Sequence, residues 1–228
     1  RNAVIEDDLA MAQIIINAIF TGEIPRYGKL TIDYRYFPLD ALGGDFFSFK
    51  TLDEGGLSLF LCDVASHGVT AGLFIALVKA MIDRVYRLHP LEPDNFMKRL
   101  NRELYGHMPL SFLTAIYGIF TEGENGACYR FTFSVSGHPS PVLYRKESDE
   151  VEIVECRGYL MGMIEDIKSQ KKTLELRSGD RLFLYTDGLP ETMNGDGTIW
   201  GYDRLQELFA RSARKDLGST LDAVIDEL

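Results

Sequence analysis

Residues 5–20, "IEDDLAMAQIIINAIF", carry apolar side chains at helical spacing, and Glu6, Asp7 and Asp8 stand where the positive end of a helix dipole favours carboxylates. The pattern predicts a helix that continues something upstream. "GEIPRYG" interrupts it, and "LTIDYRYFP" (30–38) then alternates as a strand does. Residues 45–64, "DFFSFKTLDEGGLSLFLCDV", predict two strands around the turn signal "DEGG". A helix follows over 69–88, with Leu73, Phe74, Leu77, Met81, Val85 and Leu88 as the stripe that lies on a sheet. "PDNFMKRLNRELY" predicts a second amphipathic helix capped by Asp94. The runs "FLTAIYGIFT", "ACYRFTFSVSG", "SPVLYR", "VEIVE", "KKTLEL" and "RLFLYTDG" then form a strand-rich stretch, the last nearly continuous in apolar residues and so buried on both faces. Helices resume after "NGDGTIWG", whose "NGDGT" lacks the acid series of a calcium loop and reads as a turn. Strands and helices are segregated rather than alternating as βαβ units, which argues for an α+β fold with a mostly antiparallel sheet.

The first hairpin raises a chemical question. With a turn centred near Glu54 and Gly55, paired positions sum to about 109, setting Asp45 across from Val64 and beside Asp63. Two carboxylates then meet at the open end. Either a divalent cation lies between them, or they are two solvated acids screened by water. Asp187 ends another apolar strand and is followed by Gly188, so strand-end aspartates form a pattern. Hard cations such as Mg²⁺ and Mn²⁺ take carboxylate oxygens and leave other positions to water and phosphate.

Composition narrows the partners. Among 228 residues, 24 Lys and Arg against 34 Asp and Glu give a net charge of −10, with no dense basic stripe, so nucleic acid is not an expected partner. The cluster "KSQKK" (168–172) reads as a solvated face. Cys62, Cys128 and Cys156 are too few and scattered for a disulfide framework or a zinc site, which fits a reducing cytoplasm. No apolar run approaches the roughly 18 residues of a membrane span, so no membrane insertion is expected. The chain starts without Met and stops in a helical pattern, and it reads as a piece of a longer protein: an N-terminal helix over 1–22 and a domain over 23–228.

Six stretches in order, "LGGDFFSF" (42–49), "CDVASHGVTAGL" (62–73), "FLTAIYGIF" (112–120), "VSGHPSPVLYR" (135–145), "LYTDGLPET" (184–192) and "WGYDRL" (200–205), resemble the metal-dependent PPM-type serine/threonine phosphatases. The resemblance is to the bacterial branch of stress-response and sporulation phosphatases that control sigma factors, and it covers about residues 5–210. It implies a two-sheet, mostly antiparallel β-sandwich flanked by helices, with two Mn²⁺ or Mg²⁺ ions at one edge. Asp45, Asp63 and Asp187 would then be metal ligands, with the backbone carbonyl of Val64 filling another position. The implied reaction is hydrolysis of phosphoserine or phosphothreonine on a protein, with an anti-sigma-factor antagonist as the expected substrate and an upstream sensory domain as regulator. The N-terminal helix, through Leu9, Ile15, Ile16 and Ile19, would either pair with a second copy or pack on the domain's own sheet.

Three features depart from the pattern or compete with it. Ser66 stands where the family usually has Gly. Family members end in a further strand opened by paired aspartates, one a ligand, whereas "TLDAVIDEL" (220–228) reads as helix, so the domain is expected to be C-terminally incomplete and a partner-binding pseudophosphatase is the alternative. "GGDFF" also resembles the signature loop of cyclic-dinucleotide synthases, but Phe46 stands where those enzymes need an acid, and that reading leaves Asp63 and Asp187 without roles. His67, in the metal loop, is either a proton donor to the leaving serine oxygen or a cap on the following helix. His138 reads as a turn histidine, and no G-x-S-x-G elbow supports a serine nucleophile.

Overall fold

The computed structural model describes residues 10–16, 18, 24–38, 43–87, 92–123, 126, 128–193 and 195–227. Strands β1 (Asp45–Thr51), β2 (Leu57–Val64), β3 (Leu113–Glu122), β4 (Cys128–Ser136) and β7 (Lys171–Arg177) form one sheet in the order β1-β2-β3-β4-β7. Strands β5 (Val142–Arg145), β6 (Glu150–Ile153) and β8 (Arg181–Phe183) form a second, ordered β6-β5-β8. Every named strand pair is antiparallel. The predicted α+β sandwich is therefore the fold observed.

Strand alternation sorts the core into layers. On β2 and β3, Phe60, Cys62, Val64, Ala115 and Tyr117 point to one face and pack against α2 (Gly68–Tyr86) and α3 (Pro93–Leu104). Leu57, Leu59 and Ile116 point to the other face, where they meet Leu143 of β5 and Leu182 and Leu184. The far side of the small sheet, with Val142, Tyr144 and Phe183, is covered by α4 (Tyr202–Ser212) and α5 (Leu217–Ile225). The order is helices, large sheet, small sheet, helices. Asp45 and Asp63 share the parity of the inter-sheet face, so they sit at the end of the seam between the sheets.

Several local expectations are corrected. The β1–β2 register pairs Asp45 with Asp63, not with Val64, because the loop spans three residues between Leu52, whose N–H donates to Gly56 O, and Gly56, while Gly55 N–H donates to Leu52 O and Gly55 takes φ 88°. Such loops close on a left-handed residue and move the pairing by one position. Residues 30–38 form no ladder; Leu30 and Ile32 pack on the inter-sheet cluster, and the Tyr34 ring lies 4.7 Å from that of Phe47. The alternation there reports burial without strand pairing.

On α2 the buried face is Ala71, Ile75, Val78, Ile82 and Val85, while Phe74, Leu77 and Met81 are only half-buried and Leu73 is 68% exposed. The helix is apolar nearly all round, and its smaller, branched side lets it approach the sheet closely; Leu88 lies outside the described residues. The N-cap of α3 is Glu92, with Pro93 in the first turn and Asp94 one position inside, because proline's fixed φ favours that place. Residues 10–16 are helical (α1). Ile16 is buried and Met11, Ile14 and Ile15 are exposed, whereas Leu9, Ile19 and the acids at 6–8 lie outside the described residues.

Candidate metal centre

Register, strand parity and one turn build the site. Asp45 opens β1 directly opposite Asp63 on β2, so their side chains leave the same face of the ladder. The third carboxylate arrives from the second sheet: β8 ends at Phe183, and residues 184–186 carry the chain on to a turn at Asp187. The expected strand through 187 is thus shorter, though it still delivers the aspartate. Leu189 N–H to Thr186 O (3.2 Å) and Glu191 N–H to Asp187 O (2.9 Å) close that turn. The Thr186 hydroxyl donates to Asp45 Oδ2 at 3.1 Å, tying the two sheets together at the site.

The carboxylates interact strongly. Burial, then the charge of Asp45, then the charge of Asp187 and a hydrogen bond with it push the Asp63 carboxyl up to about 7, with Glu191 adding to the effect. Asp45 is pushed up to about 6 by burial first, opposed by its bond from Thr186, with the Asp187 charge raising it further. Acid groups that resist ionisation at neutral pH in this way are short of positive charge. Among the described residues no three His, Cys, Asp or Glu side chains stand in a ready-made ligand geometry. The all-oxygen donor set suits Mg²⁺ or Mn²⁺, and a cation there would favour the ionised carboxylates that burial and mutual repulsion disfavour.

The backbone is shaped closely around these groups. A Cβ on Gly44 would lie 2.5 Å from Val64 O and 2.9 Å from Asp63 Oδ1, so only glycine fits there. Val64 O, the expected backbone ligand, accepts from Ser66 N–H at 2.6 Å. Among the described residues only Leu110 and Asp149 are non-glycine positions with positive φ, so the family's usual glycine is not required at Ser66. Phe46, at the position that a cyclic-dinucleotide synthase would need acidic, is fully buried against the helix layer.

His67 occupies the N-cap position of α2, but its side chain makes no cap bond, which removes the capping role. His138 is held in place by the structure around it. It is buried, its Nδ1 lies 2.9 Å from Thr114 Oγ1, and its Nε2 has no hydrogen-bond partner. Burial drives its pKa down to about 3, opposed by the Tyr185 backbone. Thr114 pairs with Asp63, and Tyr185 stands two residues before Asp187, so this neutral imidazole underlies both sides of the centre. Thr186, Thr114 and Glu191 are not singled out by the sequence pattern; adjacency to Asp187 within "LYTDGLPET" is the available signal for Thr186 and Glu191.

Comparison with known proteins defines the class. Among solved structures the fold is similar to the SiaA-PP2C domain of Pseudomonas aeruginosa, with a TM-score of 0.76 at 20% identity over 99% of this chain and 89% of that one. It is also similar to the PP2C phosphatase domain of SpoIIE from Bacillus subtilis, with a TM-score of 0.58 at 17% identity over 82% of this chain and 52% of that one. The architecture is therefore that of the PP2C phosphatases. Residues 53–228 match the family described as Stage II sporulation protein E (SpoIIE), and the chain belongs to that family. The match starts after Asp45, whose place in the site rests on the β1–β2 register. Curated relatives include phosphoserine phosphatase RsbU of Bacillus subtilis (strain 168), 21% identical over 97% of this chain and 65% of that protein. Phosphoserine phosphatase RsbP of the same organism is 27% identical over 78% of this chain and 43% of that protein. The chain thus spans less than two thirds of the length of these relatives. No helix among the described residues is long and apolar enough to cross a membrane.

Proposed function

We propose that this chain is the catalytic part of a Mn²⁺- or Mg²⁺-dependent protein phosphatase acting on phosphoserine or phosphothreonine, with a phosphorylated anti-sigma-factor antagonist as substrate. The observation that carries the proposal is the convergence of Asp45 and Asp63, opposed on one sheet, with Asp187 from the other. The phosphoserine phosphatase names of RsbU and RsbP point the same way. Asp45, Asp63, Asp187 and the Val64 carbonyl would hold two divalent ions, which when bound supply an activated water and neutralise phosphoryl oxygens. Thr186 fixes the orientation of Asp45 through its hydrogen bond. Gly44 keeps the backbone low enough for Asp63 to reach the seam. His67, exposed in the loop after Val64 and making no side-chain cap bond, would protonate the departing serine oxygen. The domain would span 23–228, with the helix over 1–22 leading to an upstream sensory domain or to a second copy.

The alternative is a regulatory domain that binds the phosphoprotein without turnover; helices α4 and α5 follow β8, and the further ligand strand that the resemblance implies would come after them. Release of inorganic phosphate from a phosphoserine protein, measured with Mn²⁺ and with EDTA, decides between them. Mn²⁺-dependent release that disappears in Asp187→Asn supports the enzyme; tight binding without release supports the regulatory domain.

A further inference from the structure

We propose that the rim of the carboxylate cluster on the Asp63 side is a docking surface for the phosphoserine-bearing protein, gripping a large apolar side chain near the phosphoserine; this rests on the phosphatase reading. The first observation is Leu110. It is fully exposed, and it takes φ 59°, a left-handed conformation that disfavours a branched side chain. Neither burial nor backbone ease accounts for leucine there. The segment is nevertheless fixed to the site: Ser111 Oγ donates to Ala65 O at 3.2 Å, and Ala65 N–H donates to Phe112 O at 3.0 Å. Ala65 follows Asp63 by two residues, so Leu110 stands within roughly 15 Å of that carboxylate along this path.

The facing wall is equally well held. Leu113 and Met161 exchange backbone bonds of 3.1 and 3.0 Å. The buried Asn101 of α3 clamps the next residues, donating to Ile164 O (2.9 Å) and Glu165 O (2.8 Å) and accepting from Gly162 N–H (2.9 Å). This leaves Met163 exposed across from Leu110, with an open groove of about 410 Å³ between the two walls, and Ile164 exposed beside it in the chain. Val69 and Leu73, four residues apart on the first turns of α2, are exposed at the start of the helix that follows the Asp63 loop, a second apolar pair close to the cluster along the chain.

Size and charge indicate what covers this surface. A specific protein interface buries about 800 Å² per partner, a disc of roughly 16 Å radius, so a protein that seats phosphoserine among the carboxylates also covers Leu110. The chain carries a net charge of −10, and a phosphoprotein brings more negative charge, so apolar burial rather than long-range attraction must supply the affinity.

The test compares a variant carrying both Leu110→Gly and Leu73→Ser with the unaltered protein on a phosphorylated anti-sigma-factor antagonist and on p-nitrophenyl phosphate, with phosphoprotein binding measured separately by fluorescence anisotropy. The double variant is expected to weaken binding and raise KM for the phosphoprotein by about tenfold or more, with kcat little changed. Turnover of p-nitrophenyl phosphate should stay level, which also shows that the variant is folded. Unchanged phosphoprotein binding, or parallel loss on both substrates, overturns the docking surface. Binding that is intact in the unaltered protein and lost in the variant, with no turnover of either substrate, overturns the phosphatase reading and leaves the docking surface standing.

Discussion

Asp63→Asn is expected to make the metal-free protein more stable at pH 8 while removing its activity. The Asp63 carboxyl is raised from its ordinary 3.8 to about 7 by burial and by the charges of Asp45 and Asp187. At about 1.4 kcal/mol per pH unit, keeping it ionised in the fold costs ~4 kcal/mol at face value, and solvent contact at this half-buried side chain reduces that to ~2 kcal/mol. A raised carboxyl binds its proton more tightly when folded, so the native state holds the extra proton between pH 3.8 and about 7. Stability is therefore greatest below that window, falls as pH rises through it, and carries the whole deficit above it. The substituted amide has no charge to lose and can still donate to Asp187. In EDTA at pH 8 the variant should gain ~1–2 kcal/mol, a rise in Tm of about 3–6 °C for a chain of this size, and the gain should vanish near pH 4. Scanning calorimetry at pH 4, 6 and 8 reads this directly. Saturating Mn²⁺ should reverse the order at pH 8, stabilising the unaltered protein more than the variant. A Tm for Asp63→Asn in EDTA at pH 8 that is equal or lower, or a gain of the same size at pH 4, would refute the reasoning.

Gly44→Ala should destabilise the fold by ~1–3 kcal/mol and abolish activity, because the new methyl meets the Val64 carbonyl, which is fixed backbone; urea denaturation checks the first part and phosphate release the second. Thr186→Val should leave stability within about 1 kcal/mol but raise the Mn²⁺ concentration for half-maximal activity several-fold, since Asp45 loses its orienting bond; Mn²⁺ titration of activity and of Tm reads this. For α1, Ile15→Lys on its exposed side should alter self-association in analytical ultracentrifugation if the helix pairs with a second copy, whereas Ile16→Lys should lower Tm because it buries a charge within the domain. Unchanged sedimentation at high concentration with Ile15→Lys would leave the helix as packing alone.

Much of the architecture is legible in the residues because it rests on alternation and turn chemistry. "DEGG" locates the first hairpin, and the run of short strands after residue 112 matches the observed β3–β8. What the pattern misses has physical causes. A hairpin's register depends on whether its loop holds two or three residues, and glycine next to glycine permits both, so the pattern sets Asp45 one position from its true partner. The largest side chains of α2 suggest one face, while close packing on the sheet selects Ala71, Ile75 and Val78. Asp63 and Asp187 are legible as acids at the ends of apolar runs, and Asp45 as the acid that opens the first hairpin. Their supports are not: Thr186 resembles any strand threonine until its hydroxyl is seen against Asp45, and Asn101 meets its partners more than 60 residues away. "SGHPSP" has turn composition, which marks His138 as a turn histidine but does not show that the segment lies beneath the centre and buries the ring.

The two halves of the carboxylate cluster differ in how they are held. Asp45 and Asp63 are opposed rungs of one ladder, and their separation is as fixed as the hydrogen bonds on either side of them. Asp187 instead rides on a short turn past the end of β8, closed by local bonds among residues 186–192. A cation held there would meet two carboxylates spaced by a ladder and a third placed by a turn. The spacing of the pair would follow the hairpin, and the reach of the third would follow residues 184–192.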